Sequence, residues 1–225
     1  ARSEMCIRDR VLAMGEALHH RGPDDGGRWV DAGAGIALAH RRLSILDLSP
    51  LGHQPMASAD GRYVMAYNGE VYNFAALRAE LEPLGHAFRG HSDTEVLLAA
   101  ILQWGIEDTL QRCNGMFAIA LWDRQEQCLW LARDRVGKKP LYYGYSGAEL
   151  VFASELKGLM PIPGFGRELN RNALASFMRH NYIPAPQSIY QGIAKLPPGA
   201  WVEFPANDTR SRRMPEPRVY WSARE

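Results

Sequence analysis

Two apolar runs joined by a short polar link constrain the fold more than any other feature of this 225-residue sequence. Met116–Trp122 and Cys128–Ala132 are rich in aliphatic and aromatic side chains, and the residues between them, 123–127, are mostly polar. This layout is typical of a β-hairpin, because strands joined by so short a link can only pair antiparallel. The sequence therefore predicts an antiparallel sheet whose strands are apolar enough to be buried.

Helices are predicted both before and after this hairpin. Val11, Met14 and Leu18 have helical spacing, and the turn-forming residues 22–27 that follow predict a loop. A second helix is predicted over residues 74–84. Asn73 and Gly85 are its expected N-cap and stop, because asparagine can cap helix amides and glycine adopts the left-handed conformation that ends a helix.

Ser92-Asp93-Thr94-Glu95 has the spacing of a capping box directly before the apolar run 96–104. In such a box Ser92 accepts from the amide of Glu95 while the glutamate side chain reaches back to the serine amide. We therefore expect a helix to begin at this point. A further helix is expected from Asn170, as N-cap, through Met178.

The remaining regular segments are predicted as strands, and the overall pattern predicts an α+β fold. Strand clusters interrupted by helix pairs favour antiparallel sheet over alternating βαβ units. Residues 205–217, rich in Arg and Pro, are expected to be an exposed connector. The other predicted strands are Ile36–His40, Leu43–Leu46, Tyr63–Tyr67, Leu141–Tyr145, Leu150–Ala153 and Ala200–Phe204.

Composition and charge exclude several classes of function. Lys plus Arg number 26 and Asp plus Glu number 25, so the net charge is close to zero and gives no overall positive potential that would attract nucleic acid. No apolar run reaches the length of a membrane span, and no membrane association is expected. The three cysteines lack Cys-x-x-Cys spacing, which argues against a disulfide scaffold or a metal site and favours a reducing cytoplasm. We expect Cys113 and Cys128, which lie among apolar residues, to be inert core thiols.

Three polar clusters lie at strand and helix ends, and two of them have two interpretations each. The arginines in His40-Arg41-Arg42 can form structural salt bridges or bind a ligand. Asn68-Gly69 is a strong tight-turn signal, but the same pair can supply amide donors for an oxyanion. Asp93 can act simply as a favourable charge at a helix N-terminus. Residue types alone leave the two interpretations of the arginines and of Asn68-Gly69 open.

Taken together, six motifs resemble the glutaminase domain of glutamine-hydrolysing asparagine synthetases over about residues 14–221. The resemblance implies the N-terminal nucleophile hydrolase fold of class II glutamine amidotransferases, an αββα sandwich in which two antiparallel sheets lie between helix layers. The motifs are His20–Gly26, His40–Asp47, Asn68–Asn73, Ser92–Glu95, Asn114–Ala118 and Arg133–Tyr143.

The resemblance also implies a glutamine pocket. Arg42 would pair with the α-carboxylate of glutamine, a role that suits the planar guanidinium. Asp93 would bind the α-ammonium, with Glu70 nearby. Asn68 and Gly69 would form the oxyanion hole. The residues implied to line the same pocket, partly through backbone groups, are Leu43, Ser44, Ile45 and Leu46.

The N-terminus departs from the family pattern. Family members begin with the nucleophilic cysteine, whose own α-amine is the general base. Here Cys6 is neither first nor followed by a glycine and a strand. Because Met5–Arg10 looks like a translated sequencing adaptor, we expect residues 1–10 to be a non-native leader. Residues 11–204 would then be a glutaminase domain without its first strands, inactive and poorly soluble alone.

The resemblance further implies partners that lie outside this chain. Residues 205–225 would lead to a missing synthetase domain in which ATP and magnesium support amidation of aspartate, as part of asparagine biosynthesis. No cofactor is expected in this chain, and a homodimer of the longer protein is compatible with the resemblance. Two alternatives remain: an amidotransferase with another acceptor, similar to paralogues of surface-polysaccharide biosynthesis, and a nonenzymatic glutamine-binding domain.

Overall fold

The computed structural model describes residues 4–43, 49–208 and 212–223, which form four helices and eleven strands. Single 3₁₀ turns occur at His19–Arg21, Pro50–Gly52, Glu82–Leu84 and Leu156–Gly158. The helices are α1 Glu4–Glu16, α2 Phe74–Leu81, α3 Asp93–Arg112 and α4 Arg171–His180. The strands are β1 Asp25–Asp31, β2 Ile36–Arg42, β3 Met56–Ala57, β4 Tyr63–Val71, β5 Gly115–Asp123, β6 Cys128–Arg133, β7 Tyr142–Ser146, β8 Glu149–Ala153, β9 Ile193–Lys195, β10 Ala200–Pro205 and β11 Arg218–Val219.

The predicted hairpin is the centre of a six-stranded sheet with the order β11-β10-β6-β5-β4-β3. Every neighbouring pair in this sheet is antiparallel. In the β5–β6 hairpin Leu121 pairs with Trp130 and Asp123 with Cys128, so the turn lies where the polar link predicts it. The side chains of β5 and β6 are almost all buried, which explains why both strands are apolar except at their last residues, Asp123 and Arg133.

Helices α2 and α3 cover one face of the six-stranded sheet. Leu97, Ile101 and Leu110 of α3 pack against Met65 and Ile119 of the sheet in one apolar cluster. Each fully buried side chain of this kind stabilises the fold by roughly 1.5–3 kcal/mol. The start of α3 directly after Ser92 agrees with the prediction.

Two smaller sheets cover the other face. One is the β1–β2 hairpin and the other has the order β8-β7-β9. Leu38 of β2 and Tyr143 of β7 pack with Val64 and Leu131 of the large sheet in a second cluster. Helix α1 contacts β1 and β2 from outside, and Met14 of α1 packs against a third cluster that includes residues of β8. The expected αββα layering and antiparallel pairing are confirmed, with the second β-layer divided into two sheets.

A cavity of about 610 Å³ lies between the β-layers. Its floor is formed by small side chains of the large sheet, Ala66, Ala118 and Ala120, and its walls include residues of α1, β2 and β8. Within the described residues, β2 and β8 each pair with a neighbour along one edge alone. The cavity thus lies where the second layer is divided.

Several local predictions need correction. Residues 22–27 are not entirely loop, because β1 begins at Asp25 and pairs with β2. Helix α1 begins at Glu4 and not at Val11, where the predicted helical spacing starts. Asn73 does not cap α2 through its side chain, which instead donates to Arg112 O and accepts from Asn114 N.

The start of α3 also differs in detail from a capping box. Ser92 Oγ accepts from Thr94 N at 3.1 Å rather than from the amide of Glu95. The Glu95 carboxylate accepts from the amides of Arg89 and Gly90, so it fixes the preceding loop instead of capping Ser92. The helix start was predictable from polar residues at this spacing, whereas the choice of amide depends on the path of the loop.

Candidate functional site

The Asn68-Gly69 pair lies inside β4, so its interpretation as a tight turn is wrong. The strand continues through both residues, with Asn68 opposite Ala118 and Gly69 opposite Phe117 of β5. A Cβ at Gly69 would lie 2.2 Å from Met116 O and 2.7 Å from Phe117 Cα. Glycine is therefore needed here for the close approach of β5, not for a turn.

Asn68 lies at the lining of the cavity between the β-layers. Its side-chain Nδ2 is buried and has no hydrogen-bond partner among the described residues. An unpaired amide donor costs about 1–3 kcal/mol when it is removed from water. A buried donor of this kind is suited to a ligand carbonyl or to an oxyanion that enters the cavity.

His40, on the facing strand β2, is held in one tautomer. Its Nε2 lies 2.9 Å from the carbonyl oxygen of Tyr67 and donates to it, since a carbonyl can only accept. Burial lowers the pKa of His40 to about 4, so the ring is neutral near pH 7. Its Nδ1 is then a buried acceptor, and it has no partner among the described residues.

Arg42 is two residues beyond His40 on β2, so both side chains point to the same side of that strand. Its Nη1 donates to Ser49 O at 3.0 Å. A Cβ at Gly52 would lie 2.1 Å from Nη2, so glycine leaves room for the guanidinium. Arg41 instead forms an ion pair with Glu16 of α1 at 3.2 Å, the structural role that was one of the two alternatives for this cluster.

Asp93, the first residue of α3, is only 6% exposed and is bonded to β4. Its Oδ2 accepts from the Tyr67 hydroxyl at 2.7 Å and from the Val71 amide at 2.9 Å. Burial raises the pKa of Asp93, and these two hydrogen bonds oppose that rise because they stabilise the ionised form. The carboxylate thus does more than complement the helix terminus: it joins α3 to the strand that bears Asn68.

The predicted site residues lie around the end of β4 but do not all line one cavity. His40 and Asn68 line the cavity described above, whereas Arg42, Glu70 and Asp93 are not part of its lining. Asn68 follows Tyr67, so the two side chains leave β4 on opposite faces. Asp93, which accepts from the Tyr67 hydroxyl, therefore lies on the opposite side of β4 from the Asn68 side chain, whereas Glu70, two residues after Asn68, shares the face of Asn68.

The loop after β2 holds the other predicted lining residues. Ser44, Ile45 and Leu46 lie outside the described residues. The Leu43 side chain is 55% exposed and is not part of the cavity lining. Two groups that connect the site, Tyr67 and Gln54, were not singled out from the sequence, although Tyr67 directly precedes the Asn68-Gly69 motif.

The buried cysteines are poor candidates for a nucleophile. Burial raises the pKa of Cys113 to about 12 and that of Cys128 to about 11. Both thiols remain protonated near neutral pH, as expected for inert core residues. Within the described parts of the chain, no three His, Cys, Asp or Glu side chains are grouped so as to hold a metal ion. In the same parts, every helix is too short or too polar to cross a bilayer.

Curated proteins with similar sequences are named as asparagine synthetases. Glutamine-hydrolyzing asparagine synthetase 1 of Bacillus subtilis is 38% identical over 190 residues, which cover 84% of this chain and 29% of that protein. Glutamine-hydrolyzing asparagine synthetase 2 of the same organism is 36% identical over 229 residues, covering 100% of this chain and 29% of that protein. The chain spans about a third of the length of the curated relatives it matches.

Solved structures with a similar fold include two enzymes at 20% sequence identity. Glutamine phosphoribosylpyrophosphate amidotransferase from Bacillus subtilis has a TM-score of 0.58 and covers 86% of this chain and 44% of its own. A structure described as the allosteric regulatory enzyme of purine biosynthesis has a TM-score of 0.61, with 87% and 44% covered. These likenesses agree with the layered fold. Residues 2–221 match the family described as glutamine amidotransferase domain, and the chain belongs to that family.

Proposed function

We propose that this chain is the glutamine-binding part of a longer, asparagine synthetase-like protein. The observation that carries the proposal is the unpartnered, buried Nδ2 of Asn68 at the lining of the cavity. A glutamine side-chain carbonyl would complete the hydrogen bonding of this donor. Family membership and the similarity to glutamine-hydrolyzing synthetases support glutamine as the ligand.

Asn68 and Gly69 are proposed to act as donors to the carbonyl oxygen of the glutamine amide. Negative charge develops on that oxygen when a nucleophile attacks, so a fixed donor stabilises the transition state more than the ground state. Donors held in a rigid strand need little reorganisation during the reaction. The close fit of Gly69 against β5 supports this role because it fixes the backbone beside Asn68.

The charged groups of glutamine are proposed to bind at Arg42 and Asp93. The Arg42 guanidinium matches an α-carboxylate in charge and shape, and the carboxylates of Asp93 and Glu70 match an α-ammonium. This arrangement requires the loop after β2 and the end of β4 to enclose the amino-acid part of the ligand. Lining of that part by Leu43, Ser44, Ile45 and Leu46 belongs to the same proposal.

We further propose that residues 1–225 bind glutamine without hydrolysing it. A nucleophile that uses its own α-amine as base must be a first residue. Cys6 instead lies within α1, with its nitrogen in a peptide bond. In the longer protein, glutamine hydrolysis would supply ammonia for an amidation that uses ATP and magnesium, with aspartate as the proposed acceptor.

Asn68→Ala tests the oxyanion role in a full-length enzyme that contains this domain and an N-terminal cysteine. We expect the glutaminase kcat to fall at least tenfold with little change in KM, since losing one such donor costs about 2.7–4 kcal/mol of transition-state stabilisation. Asn172→Ala, an exposed asparagine of α4, is the matched control. An unchanged kcat in Asn68→Ala would remove this residue from the role.

Titration calorimetry on residues 1–225 tests ligand binding directly. The wild-type chain should bind L-glutamine saturably and L-glutamate more weakly, because a carboxylate in place of the amide adds a negative charge at the buried end of the ligand. Absence of saturable glutamine binding by a folded sample would show that the proposed function is wrong. Release of glutamate by this chain would contradict the proposed inactivity.

A further inference from the structure

Tyr67 uses each of its polar groups to join a different part of the structure. Its amide donates to Gln54 Oε1 at 2.7 Å, its carbonyl accepts from His40 Nε2 at 2.9 Å, and its hydroxyl donates to Asp93 Oδ2 at 2.7 Å. The residue is only 3% exposed. Hydrogen bonds in such a buried position compete little with water, so they fix geometry more strictly than surface bonds.

Gln54 extends this connection from β4 to α3. Its Oε1 accepts from the Tyr67 amide, and its Nε2 donates to Thr94 Oγ1 at 3.4 Å. Thr94 directly follows Asp93 in the first turn of α3. The side chain of Gln54 therefore occupies the edge of β4 beyond the end of β3, where another strand would otherwise be needed.

We propose that Tyr67 is a positioning residue for glutamine binding, because its hydroxyl orients the Asp93 carboxylate while its backbone, held by Gln54 and His40, fixes the neighbouring Asn68. This inference rests on the proposed function and assigns a role to a residue that does not itself touch the ligand. The Tyr67 hydroxyl and the Val71 amide both bond Oδ2, so they define the plane of the carboxylate. A fixed plane presents Oδ1 in one direction and makes ammonium binding directional.

The charged groups around Tyr67 and Asp93 determine how glutamine binding should depend on pH. The titratable groups that interact with Tyr67 or Asp93 include Glu70 of β4, Cys113 at the end of α3 and His40 of β2, whose Nε2 donates to the Tyr67 carbonyl and whose pKa is lowered by burial to about 4. Cys113 is neutral because burial raises its pKa to about 12. The Tyr67 hydroxyl lowers the pKa of Asp93, so its removal must raise that pKa further above its ordinary value. If glutamine binding needs ionised Asp93, then on acidification the Tyr67→Phe variant should lose binding at a higher pH than the wild type.

Tyr67→Phe tests the proposal with two ligands. L-Glutamine has an α-ammonium, whereas glutaramate has the same carboxylate and amide without it. We expect Tyr67→Phe to raise the Kd for L-glutamine about tenfold, as for loss of a hydrogen bond to a charged group, and to change the Kd for glutaramate less than about twofold. The acidic limb of glutamine binding should move to higher pH in the variant.

Two further variants separate positioning from general stability. Tyr220→Phe loses a tyrosine hydrogen bond, to Arg133 O, that involves none of the proposed ligand-binding groups, and it should leave both Kd values unchanged. In an Asp93→Asn background, adding Tyr67→Phe should have little further effect, because the group it positions no longer carries charge. That result would support coupling between the two residues.

Equal weakening of glutamine and glutaramate by Tyr67→Phe, or an unmoved acidic limb, would overturn the proposal and leave Tyr67 a structural residue. The proposal would also be overturned if Tyr67→Phe raised the Kd for glutamine by the same factor in the Asp93→Asn background as in the wild type. If the folded wild-type chain binds neither ligand, the proposed function is wrong, and this inference with it. If the wild type binds both ligands and Tyr67→Phe does not weaken glutamine binding more than glutaramate binding, only the positioning role is wrong and the proposed function stands.

Discussion

Asp134 is a single residue that determines the path of the loop between β6 and β7. Its side chain is fully buried, at 0% exposure, and its two carboxylate oxygens accept four backbone amides at 2.8–3.2 Å. Asp134→Ala should lower the free energy of unfolding by about 3 kcal/mol, because several buried amides lose their acceptor together. Urea denaturation measures the loss, with the exposed Asp108→Ala as control; equal effects would contradict the assignment. The amides belong to Phe117, Val136, Lys138 and Lys139.

Individual site residues could be nominated from the sequence, but their contacts could not. Arg42, Asn68 and Asp93 follow from motifs that list residue types in order. That Asp93 bonds Tyr67 and Val71, two elements away in the chain, follows only from how α3 packs on β4. Gln54 has no motif of its own, because its role depends on β3 beginning only at Met56, which leaves the edge of β4 beyond Met65 without a paired strand. Long-range hydrogen bonding of this kind has no local sequence signal.

Helix α4 begins with a side-chain N-cap and has few buried residues. Asn170 Oδ1 accepts from the amides of Asn172 and Ala173, and Ala173 is the one side chain that the helix buries fully among its described residues. Asn170→Ala should cost about 1 kcal/mol locally and increase amide hydrogen exchange in α4 rather than throughout the sheet. Exchange measured by NMR checks this prediction. If amide exchange also accelerated equally across β5 and β6, the Asn170 cap would instead contribute to the stability of the whole fold.

At the level of elements, the sequence was most informative where local chemistry and tertiary packing agree. The β5–β6 hairpin, the start of α3 and the Asn170 cap all have strong local signals and were predicted correctly. β4 shows the opposite case, since its Asn68-Gly69 pair favours a turn locally but nine residues of pairing with β5 keep the strand extended. β1 was missed because Asp25-Gly26-Gly27 has turn composition and is held extended by its register with β2.

For the whole molecule, the layer order followed from the resemblance, but the division of the second β-layer did not. Cross-layer packing is continuous where β2 and β7 meet the large sheet and gives way to a cavity of about 610 Å³ between β2 and β8. Protein interiors are normally packed to the density of organic crystals, so a void of this size leaves apolar side chains without contacts. It is the part of the molecule where added apolar volume should be tolerated.

Ala66→Val tests the cavity at the scale of the whole fold. Ala66 is half-buried on β4 and faces the cavity beside Ala120 of β5. Two added methyl groups should gain burial without a clash and raise the free energy of unfolding by about 1 kcal/mol, given about 0.8 kcal/mol per buried methylene. Ala132→Val is the matched control, because Ala132 is a strand alanine at 0% exposure in the packed core on the opposite face of the sheet. Overpacking there should destabilise by about 1–3 kcal/mol. Opposite signs for the two variants in urea denaturation would support the cavity; destabilisation by both would mean that the layers are closed around Ala66 in solution.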